Sequence, residues 1–235
     1  MNSIKGRIAI VTGAGRGIGR AFVTALLNEG VKVFATSRHL SALEKIEDEN
    51  LALLPADLTD LSSFKKIVTA CAERFGGIDF VINNAGYAKK GALADATAQD
   101  WDLHFAVNAR APFLLNNAAM PYLEASEQAT IVNICSVVST QGYESQGAYS
   151  AAKHALLGYT KVLAKETFDK DIRVHAISPG GVATELIQET RPDLDLSILS
   201  TPEEIADILV FLLKNRGGAV MDEISVRRYT KKPWM

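Results

Sequence analysis

A tyrosine and a lysine stand four residues apart in this chain, at Tyr149 and Lys153. Within a helix, this spacing places both side chains on one face. A free phenol has a pKa near 10, so it is about 0.1% ionised at pH 7, and a nearby ammonium lowers that pKa toward the working range of a proton donor and acceptor. The pair therefore predicts acid–base chemistry at Tyr149, although such a pair also arises by chance.

Two further polar residues accompany the pair. Ser136 directly follows the apolar run 129–135 and lies thirteen residues before Tyr149, so a strand-end hydroxyl can meet a helix-borne phenol across a bound carbonyl group. Asn108 falls within a long predicted helix, where an amide is a mediocre helix former unless its side chain has a role. Taken singly, Ser136 is also explained as a strand-end hydroxyl and Asn108 as a polar helix residue.

A glycine-rich segment follows the first apolar run and opens a predicted helix. It reads Thr12-Gly13-Ala14-Gly15-Arg16-Gly17-Ile18-Gly19. Glycines at such a turn let the backbone approach a pyrophosphate, and the N–H groups at the start of the helix face the anion. The spacing T-G-x-x-x-G-x-G differs from G-x-G-x-x-G, and a purely structural turn is the alternative, but the position between strand and helix favours a dinucleotide site.

The end of the second predicted strand indicates which dinucleotide binds. An Asp or Glu usually holds a free ribose 2′-hydroxyl there, whereas a 2′-phosphate needs cations. The segment Phe34-Ala35-Thr36-Ser37-Arg38 contains no acid. Ser37, Arg38 and, from the glycine loop, Arg16 offer contacts to a phosphate. NADP(H) is therefore favoured over NAD(H), with two solvated surface arginines as the alternative.

Short apolar runs alternate with helix-period segments along the chain. Because the runs are mostly continuous, they are typical of strands covered on both faces. Strands are predicted at 7–12, 31–36, 51–54, 78–82, 129–135, 172–178 and 219–227, and helices at 17–29, 40–49, 60–75, 100–124, 147–169 and 202–214. The fold class is therefore α/β: a single-domain, Rossmann-type, doubly wound parallel sheet of about seven strands with helices on both faces. In such sheets, ligands bind at the carboxyl ends of the strands.

Composition limits the class of protein. The chain has 235 residues and a formal net charge of −2, and its basic residues are scattered among acids, which argues against nucleic acid as a partner. No repeat or linker suggests a second domain, so residues 1–235 are predicted to form a single NAD(P)-binding Rossmann-fold oxidoreductase domain. The four histidines show no metal-ligand pattern, and no metal is expected.

Location is predicted from what the sequence lacks. Apolar character begins at Arg7, which predicts no signal peptide. No apolar stretch approaches the roughly 18 residues of a membrane-spanning helix, so no membrane partner is expected. Cys71 and Cys135 have no disulfide or metal spacing, which fits a reducing compartment. A cytoplasmic location is therefore expected.

Taken together, these motifs resemble the short-chain dehydrogenase/reductase family in its single-domain branch. The resemblance runs from about Gly6 to Leu213, with the motifs in family order and at family-like spacing. Their joint occurrence is the specific signal, because each alone is weak to moderate. The motifs are the glycine loop, Asp57 after the third strand, Asn83-Asn84-Ala85-Gly86, Asn108, Ser136, Tyr149-x-x-x-Lys153 and Pro179-Gly180.

The resemblance implies roles for four catalytic residues, Asn108, Ser136, Tyr149 and Lys153. Tyr149 protonates the carbonyl oxygen during reduction and takes the alcohol proton in the reverse direction. Lys153 holds the nicotinamide ribose and lowers the tyrosine pKa, while Ser136 polarises the substrate oxygen. Asn108 supports a water that links Lys153 to solvent.

The resemblance also implies dinucleotide contacts along the chain. Asp57 contacts the adenine, while Val182 and Thr184 lie near the nicotinamide carboxamide. The implied cofactor-binding residues are Gly13, Gly15, Arg16, Gly17, Ile18, Gly19, Ser37, Arg38, Asp57, Leu58, Asn84, Ala85, Gly86, Val107, Tyr149, Lys153, Pro179, Gly180, Val182 and Thr184.

These expectations combine in an NADPH-dependent oxidoreductase that reduces a small ketone or aldehyde, reversible as an alcohol or hydroxy-acid dehydrogenase. Two alternatives stay open: an NAD-linked dehydrogenase of such an alcohol, and a catalytically silent nucleotide sensor or scaffold. The apolar faces of helices 100–124 and 147–169, like the resemblance, suggest a homodimer or homotetramer.

The chain departs from the family pattern after Pro179-Gly180. Only about seventeen residues, 184–200, precede the next helix, so the substrate lid is short. The pocket is then either left poorly covered or completed by the C-terminal tail, residues 229–235, including that of a neighbouring subunit. Tyr143 is a plausible wall of this pocket.

Overall fold

Seven parallel strands form one sheet in the computed structural model, which describes residues 2–233. Their order across the sheet is β3-β2-β1-β4-β5-β6-β7. This order confirms the predicted doubly wound parallel sheet. The strands are β1 Ile8–Thr12, β2 Lys32–Ser37, β3 Leu51–Pro55, β4 Phe80–Asn83, β5 Thr130–Ile134, β6 Arg173–Pro179 and β7 Glu223–Val226.

Helices cover both faces of the sheet. One core lies between the sheet and helices α1 and α7, and the other lies between the sheet and α2, α4 and α5. Within β1, Val11 belongs to the first core and Ile10 to the second, and neither is exposed. Continuous apolar runs are therefore explained by burial on both faces. The helices are α1 Gly17–Asn28, α2 Ser63–Phe75, α3 Ala98–Phe105, α4 Ala111–Glu124, α5 Gly147–Glu166, α6 Glu185–Thr190 and α7 Pro202–Lys214.

The strand order changes direction between β1 and β4. Strand β1 pairs on one side with β2 and on the other with β4, where Ala9 lies opposite Phe80. At such a point the two neighbouring loops leave in opposite directions and open a crevice at the carboxyl ends of the strands. The glycine loop and the residues after β4 therefore meet at one edge of the sheet.

The helix predicted over 40–49 is wrong. Leu40 and Leu43 are buried at helical spacing, but the segment makes only isolated turns, such as the bond from Leu43 N to Leu40 O of 2.8 Å. The carboxylate of Asp48 then accepts from Asn50 N at 2.8 Å. This Asx turn directs the chain into β3, so the apolar spacing reflects a packed connection rather than a helix.

The single helix predicted over 100–124 is interrupted. Residues Ala106–Arg110 form a π-helical turn between α3 and α4. Within it, the side chain of Asn108 donates to His104 O at 2.9 Å, so the amide takes part in the local break. The segment after β6 also contains a short helix that was not predicted, α6. Predicted strand 219–227 contracts to the four residues of β7.

Candidate active site

The glycine loop between β1 and α1 is shaped by close backbone approaches. Gly13 has a φ of +63°, and a Cβ there would lie 2.7 Å from Ala85 Cα. A Cβ on Gly19 would lie 2.2 Å from Gly13 O. Any larger residue at either position would force the loop apart, so these glycines fit a cradle that brings main-chain N–H groups to a phosphate.

Side chains at the ends of β1 and β4 hold the two loops together. The Thr12 hydroxyl accepts from Asn84 N at 3.1 Å and from Ala85 N at 3.0 Å. The Asn84 amide donates to Thr12 O at 2.9 Å and to Gly13 O at 3.2 Å. Asn84 therefore lines the crevice while its side chain points inward, where it positions the glycine loop.

The predicted 2′-phosphate site lies beside the ends of β2 and β3. A Cβ on Gly15 would lie 3.3 Å from Ser37 Oγ, so the loop touches the end of β2. Hydrogen bonds from Thr59 lower the pKa of Asp57, and the charge of Arg38 lowers it further. Arg38 thus lies in electrostatic reach of Asp57, whose Oδ1 accepts from Thr59 N at 2.8 Å.

Arg16 points across the crevice to the lid. Its guanidinium pairs with Glu189 of α6 through Nη1 and Oε1, with a second contact between Nη2 and Oε2 at 3.2 Å. Hydrogen bonding to Glu189 raises the pKa of Arg16, and the same bond lowers the pKa of Glu189. The predicted phosphate ligand is therefore engaged by a carboxylate that the sequence analysis did not connect with it.

Ser136 and Tyr149 meet at the carboxyl end of β5. Ser136 Oγ accepts from Val138 N at 3.3 Å and donates to Pro179 O at 3.4 Å, which joins the ends of β5 and β6. Burial raises the pKa of Tyr149 to about 12, against a smaller lowering by a hydrogen bond with Ser136. The Tyr149 ring lines the crevice and is only half-buried, but the direction of the shift keeps the phenol neutral at pH 7.

Lys153 lies under the crevice, one helical turn after Tyr149. Its Nζ donates to Ile134 O at 2.7 Å and lies 6.0 Å from the centroid of the Tyr149 ring. Burial lowers the pKa of Lys153 to about 8. The expectation that the ammonium lowers the tyrosine pKa is not met here, because the burial of the phenol dominates.

Asn108 is fully buried and binds the chain that follows β4. Its Oδ1 accepts from Tyr87 N at 3.1 Å, and its Nδ2 donates to Tyr87 O at 2.8 Å. Tyr87 packs against His104 with ring centroids 4.7 Å apart, and His104 lies edge-on to Tyr149 at 6.4 Å. Asn108 therefore fixes a residue of the crevice wall, and it does not itself line the crevice.

The residues after β6 form the far wall and the base of the lid. Gly180 N donates to Val226 O at 2.7 Å, and Val182 pairs with Ser200 in an isolated parallel bridge. The Thr184 hydroxyl caps α6 by accepting from Ile187 N at 3.4 Å. The Thr184 methyl group lies beside Gly17, so the lid begins next to the glycine loop.

All these elements enclose one crevice of about 280 Å³. Of the predicted site residues, only Gly15 and Asn108 fall outside its lining, because Gly15 packs against His39 O and Asn108 lies behind Tyr87. Sequence reasoning missed several residues that share an apolar or aromatic character and come from the walls and the lid. They are Tyr87, Leu103, Ile134, Leu186 and Ile187. Tyr87 directly follows the Asn83-to-Gly86 motif, which was its only sequence signal.

A second cavity of about 600 Å³ adjoins the first. Tyr87 lines both cavities, and Glu189 lines the second opposite Lys89 and Lys90. The tail lies near the lid: Thr230 Oγ1 donates to Ile198 O at 3.3 Å, and Lys231 Nζ donates to the Tyr143 hydroxyl at 2.6 Å. Lid and tail of the same chain are therefore in contact, while Trp234 and Met235 of the predicted tail lie outside the described residues.

Residues 2–233 contain neither a metal-binding cluster nor a membrane-spanning helix. Within that range, the structure holds no group of three or more His, Cys, Asp or Glu residues placed to bind a metal ion. None of the helices in the described part of the chain has the length and apolar character needed to span a membrane.

The chain is similar to a family model and to two oxidoreductases of known sequence. A family model described as short chain dehydrogenase matches residues 7–195. The uncharacterized oxidoreductase YgcW of Escherichia coli K12 is 35% identical over 98% of this chain and 87% of its own length. The 3-oxoacyl-[acyl-carrier-protein] reductase FabG of the same strain is 31% identical over 94% of this chain and 95% of its own length.

Solved structures agree in fold. A Brucella melitensis protein titled short-chain dehydrogenase/reductase SDR, glucose/ribitol dehydrogenase, has a TM-score of 0.90 and 28% identity, covering 99% of this chain and 100% of that one. An alcohol dehydrogenase of Thermococcus sibiricus has a TM-score of 0.88 at 24% identity, covering 97% and 99% of the two chains.

Proposed function

The chain belongs to the short-chain dehydrogenase family of NAD(P)-binding oxidoreductases, and from this premise we propose that it reduces a small ketone or aldehyde with NADPH, using Tyr149 as the general acid. The reaction is reversible as an alcohol or hydroxy-acid dehydrogenase. One observation carries the proposal: Ser136, Tyr149 and Lys153 line the wall of a crevice whose other end is the glycine loop.

The residues of the crevice fit a dinucleotide. Gly13 and Gly19 let the backbone of the glycine loop pack too closely for a Cβ, which leaves its N–H groups facing the crevice, and Arg16 and Arg38 supply cations at the far end. The dinucleotide supplies the hydride when it is bound. Lys153, which burial leaves with a pKa of about 8 and hence mostly charged at pH 7, binds the ribose hydroxyls.

Tyr149 and Ser136 act on the substrate oxygen. Because the pKa of Tyr149 is raised to about 12, the phenol keeps its proton at pH 7 and has one to donate to a carbonyl oxygen. The Ser136 hydroxyl donates to Pro179 O over a long 3.4 Å, and it turns to donate to the substrate oxygen as negative charge grows on it. Tyr149 is then reprotonated from solvent. Water-mediated proton transfer near Asn108 stays a prediction.

The preference for NADPH rests on charge. No acid follows β2, and Ser37, Arg38 and Arg16 line the crevice at that end. A carboxylate there would repel a 2′-phosphate, whereas guanidinium groups form charge-assisted bonds with it.

A 3-oxoacyl thioester is the ketone that the relatives favour. Several curated relatives named 3-oxoacyl-[acyl-carrier-protein] reductase are 29–31% identical over nearly the whole chain. The cavity of about 600 Å³ next to Tyr87 is lined by Lys89 and Lys90, whose charges suit a polar substituent of the thioester more than its acyl chain.

The test is NADPH oxidation, followed by absorbance, with a panel of aldehydes, ketones and 3-oxoacyl thioesters. Wild type should turn over at least one member, and Tyr149→Phe should lower kcat by about 10²- to 10⁴-fold while leaving NADPH affinity within about twofold. Wild type that binds NADPH tightly but reduces nothing on the panel would instead support the sensor alternative.

We also propose the broader features expected for such an enzyme. Residues 1–235 form one domain, which is supported by a sheet whose strands run from Ile8 to Val226. A cytoplasmic location is supported by the free, buried thiols of Cys71 and Cys135. A homodimer or homotetramer is supported by the exposed Phe113 on α4 and Val162 on α5.

A further inference from the structure

Arg16 pairs with one carboxylate and shares a crevice with the proposed phosphate site. Ser37 and Arg38, where the proposed function puts the 2′-phosphate of NADP(H), line the same crevice as Arg16. Glu189 holds the guanidinium through both of its terminal nitrogens. A guanidinium edge whose two terminal nitrogens face one carboxylate cannot present that same edge to a phosphate, so two anions compete for it.

The pair joins two elements that are far apart in the chain. Arg16 precedes α1 in the glycine loop, whereas Glu189 lies in the last turn of α6, 173 residues later. Arg16 lines the dinucleotide crevice and Glu189 lines the adjoining cavity, so their ion pair stands at the boundary between the two. Both side chains remain about half exposed, at 50% and 57%, so the pair is weak enough for a phosphate to displace.

Arg38 alone does not neutralise the charge of a 2′-phosphate. Its charge already acts on the Asp57 carboxylate, so a 2′-phosphate approaching Arg38 also approaches a negative group. Full compensation of the phosphate therefore needs the second cation, Arg16. If Arg16 turns the edge that now faces Glu189 toward the phosphate, its contacts with Glu189 are lost.

We propose that Glu189 is a specificity-determining residue that weakens NADP(H) binding relative to NAD(H) by competing with the 2′-phosphate for Arg16. The inference rests on the proposed function, because it assumes that the crevice binds a 2′-phosphorylated dinucleotide. If Glu189 has this role, the discrimination between NADP(H) and NAD(H) depends on the lid as well as on the end of β2.

Calorimetric titration of the full chain with NADPH, NADH and 2′,5′-ADP tests this proposal. Glu189→Gln should tighten NADPH and 2′,5′-ADP by about two- to fivefold, the range expected when a surface ion pair is removed, and should leave NADH unchanged. Asp193→Asn is the matched control: it removes one charge from the same lid segment, where Asp193 pairs with Arg191 at 2.7 Å, and it should leave all three affinities unchanged.

Arg16→Gln separates competition from simple repulsion. In that background, Glu189→Gln should have no effect on NADPH affinity. An effect that persists without Arg16, an equal gain for NADH, or no gain for NADPH in the single variant overturns the proposal. Failure of the proposed function has a different signature, because wild type would then bind neither dinucleotide or would bind NADPH with no dependence on Arg16.

Discussion

At Tyr149, two environmental effects on one phenol oppose each other. Burial raises its pKa to about 12, and the hydrogen bond with Ser136 lowers it. From the sequence, the Lys153 ammonium was expected to be the main influence on the pKa of Tyr149. In the structure it donates instead to Ile134 O at 2.7 Å. The types and positions of these residues were predictable from spacing, whereas the balance of their pKa shifts depends on burial that spacing does not give.

Arg38 provides a test of dinucleotide choice. Arg38→Asp should raise the KM for NADPH by about tenfold or more, because a carboxylate replaces a cation beside the 2′-phosphate and repels it. The KM for NADH should fall or stay unchanged. Steady-state kinetics with both dinucleotides measures this, and intact NADPH use in the variant would favour the NAD-linked alternative.

His175 of β6 provides a test of pH-dependent stability. It is buried, its Nδ1 contacts Met221 O at 2.7 Å, and its Nε2 has no partner among the described residues. A carbonyl oxygen only accepts, so Nδ1 carries a proton; a second proton on Nε2 would be buried without an acceptor, which disfavours the charged ring. Burial lowers its pKa, with an opposing effect of the Met221 bond.

A lowered pKa means that the unfolded chain binds the proton more readily. Stability should therefore be complete above about pH 6.5 and fall as the pH drops below that value, by about 1.4 kcal/mol per unit of pKa lowering once the folded pKa is passed. Melting temperatures between pH 5.5 and 7.5 should fall less for His175→Gln than for wild type. His39→Gln, which changes an exposed ring, should match wild type; equal slopes in all three proteins would contradict the assignment.

Local sequence pattern was sufficient to predict some strands and helices and insufficient for others. All seven strands appear within a few residues of their predicted ranges, because burial on both faces imposes continuous apolar runs. Helix α7 was predicted at its observed bounds, since Thr201 and Glu204 form a capping box and Pro202 begins the helix. The segment 40–49 lacks such an N-terminal signal, and the spacing of Leu40 and Leu43 alone led to a wrong prediction of a helix.

The meeting of the glycine loop with the lid was not predictable from sequence. The pairing of Arg16 with Glu189 requires α6 to lie over the loop, and α6 is six residues long with no buried residue to mark it as a helix. Asn108 stands out in the sequence as an unusual helix residue, but its amide binds Tyr87, which lies 21 residues earlier in the chain and outside the helix.

Gly19 tests the close approach of α1 to β1. Gly19→Ala would place a Cβ 2.2 Å from Gly13 O, so we expect a loss of about 1–3 kcal/mol in unfolding free energy and a large loss of NADPH affinity. Gly158→Ala is the control within α5, because a Cβ there meets nothing within 4 Å. That variant should gain roughly 0.5–1 kcal/mol. Denaturant unfolding and NADPH titration measure both; a Gly19→Ala protein that binds normally would show that the loop tolerates a side chain.

For the whole molecule, the exposed aromatic face on α4 and α5 tests self-association. Phe113 is 44% exposed, and its ring lies edge-on to Tyr159 with centroids 5.8 Å apart. Phe113→Glu should shift sedimentation from dimer or tetramer toward monomer, because a carboxylate would be buried in the interface. Leu61→Glu, which alters a 63% exposed residue before α2, should sediment like wild type. A monomeric wild type would contradict the prediction.

The strand order also has a consequence for how the chain is made. Strand β1 cannot complete its ladder until Phe80, opposite Ala9, has been translated, and strand β7 arrives last at the far edge. Strands β3, β2, β1 and β4 can assemble while the second half is still on the ribosome, so a nascent chain acquires the glycine-loop end of the crevice before Ser136 and Tyr149 have been translated. Such non-local pairing slows folding, and we expect the growing polypeptide to depend on chaperones until its last strand has docked.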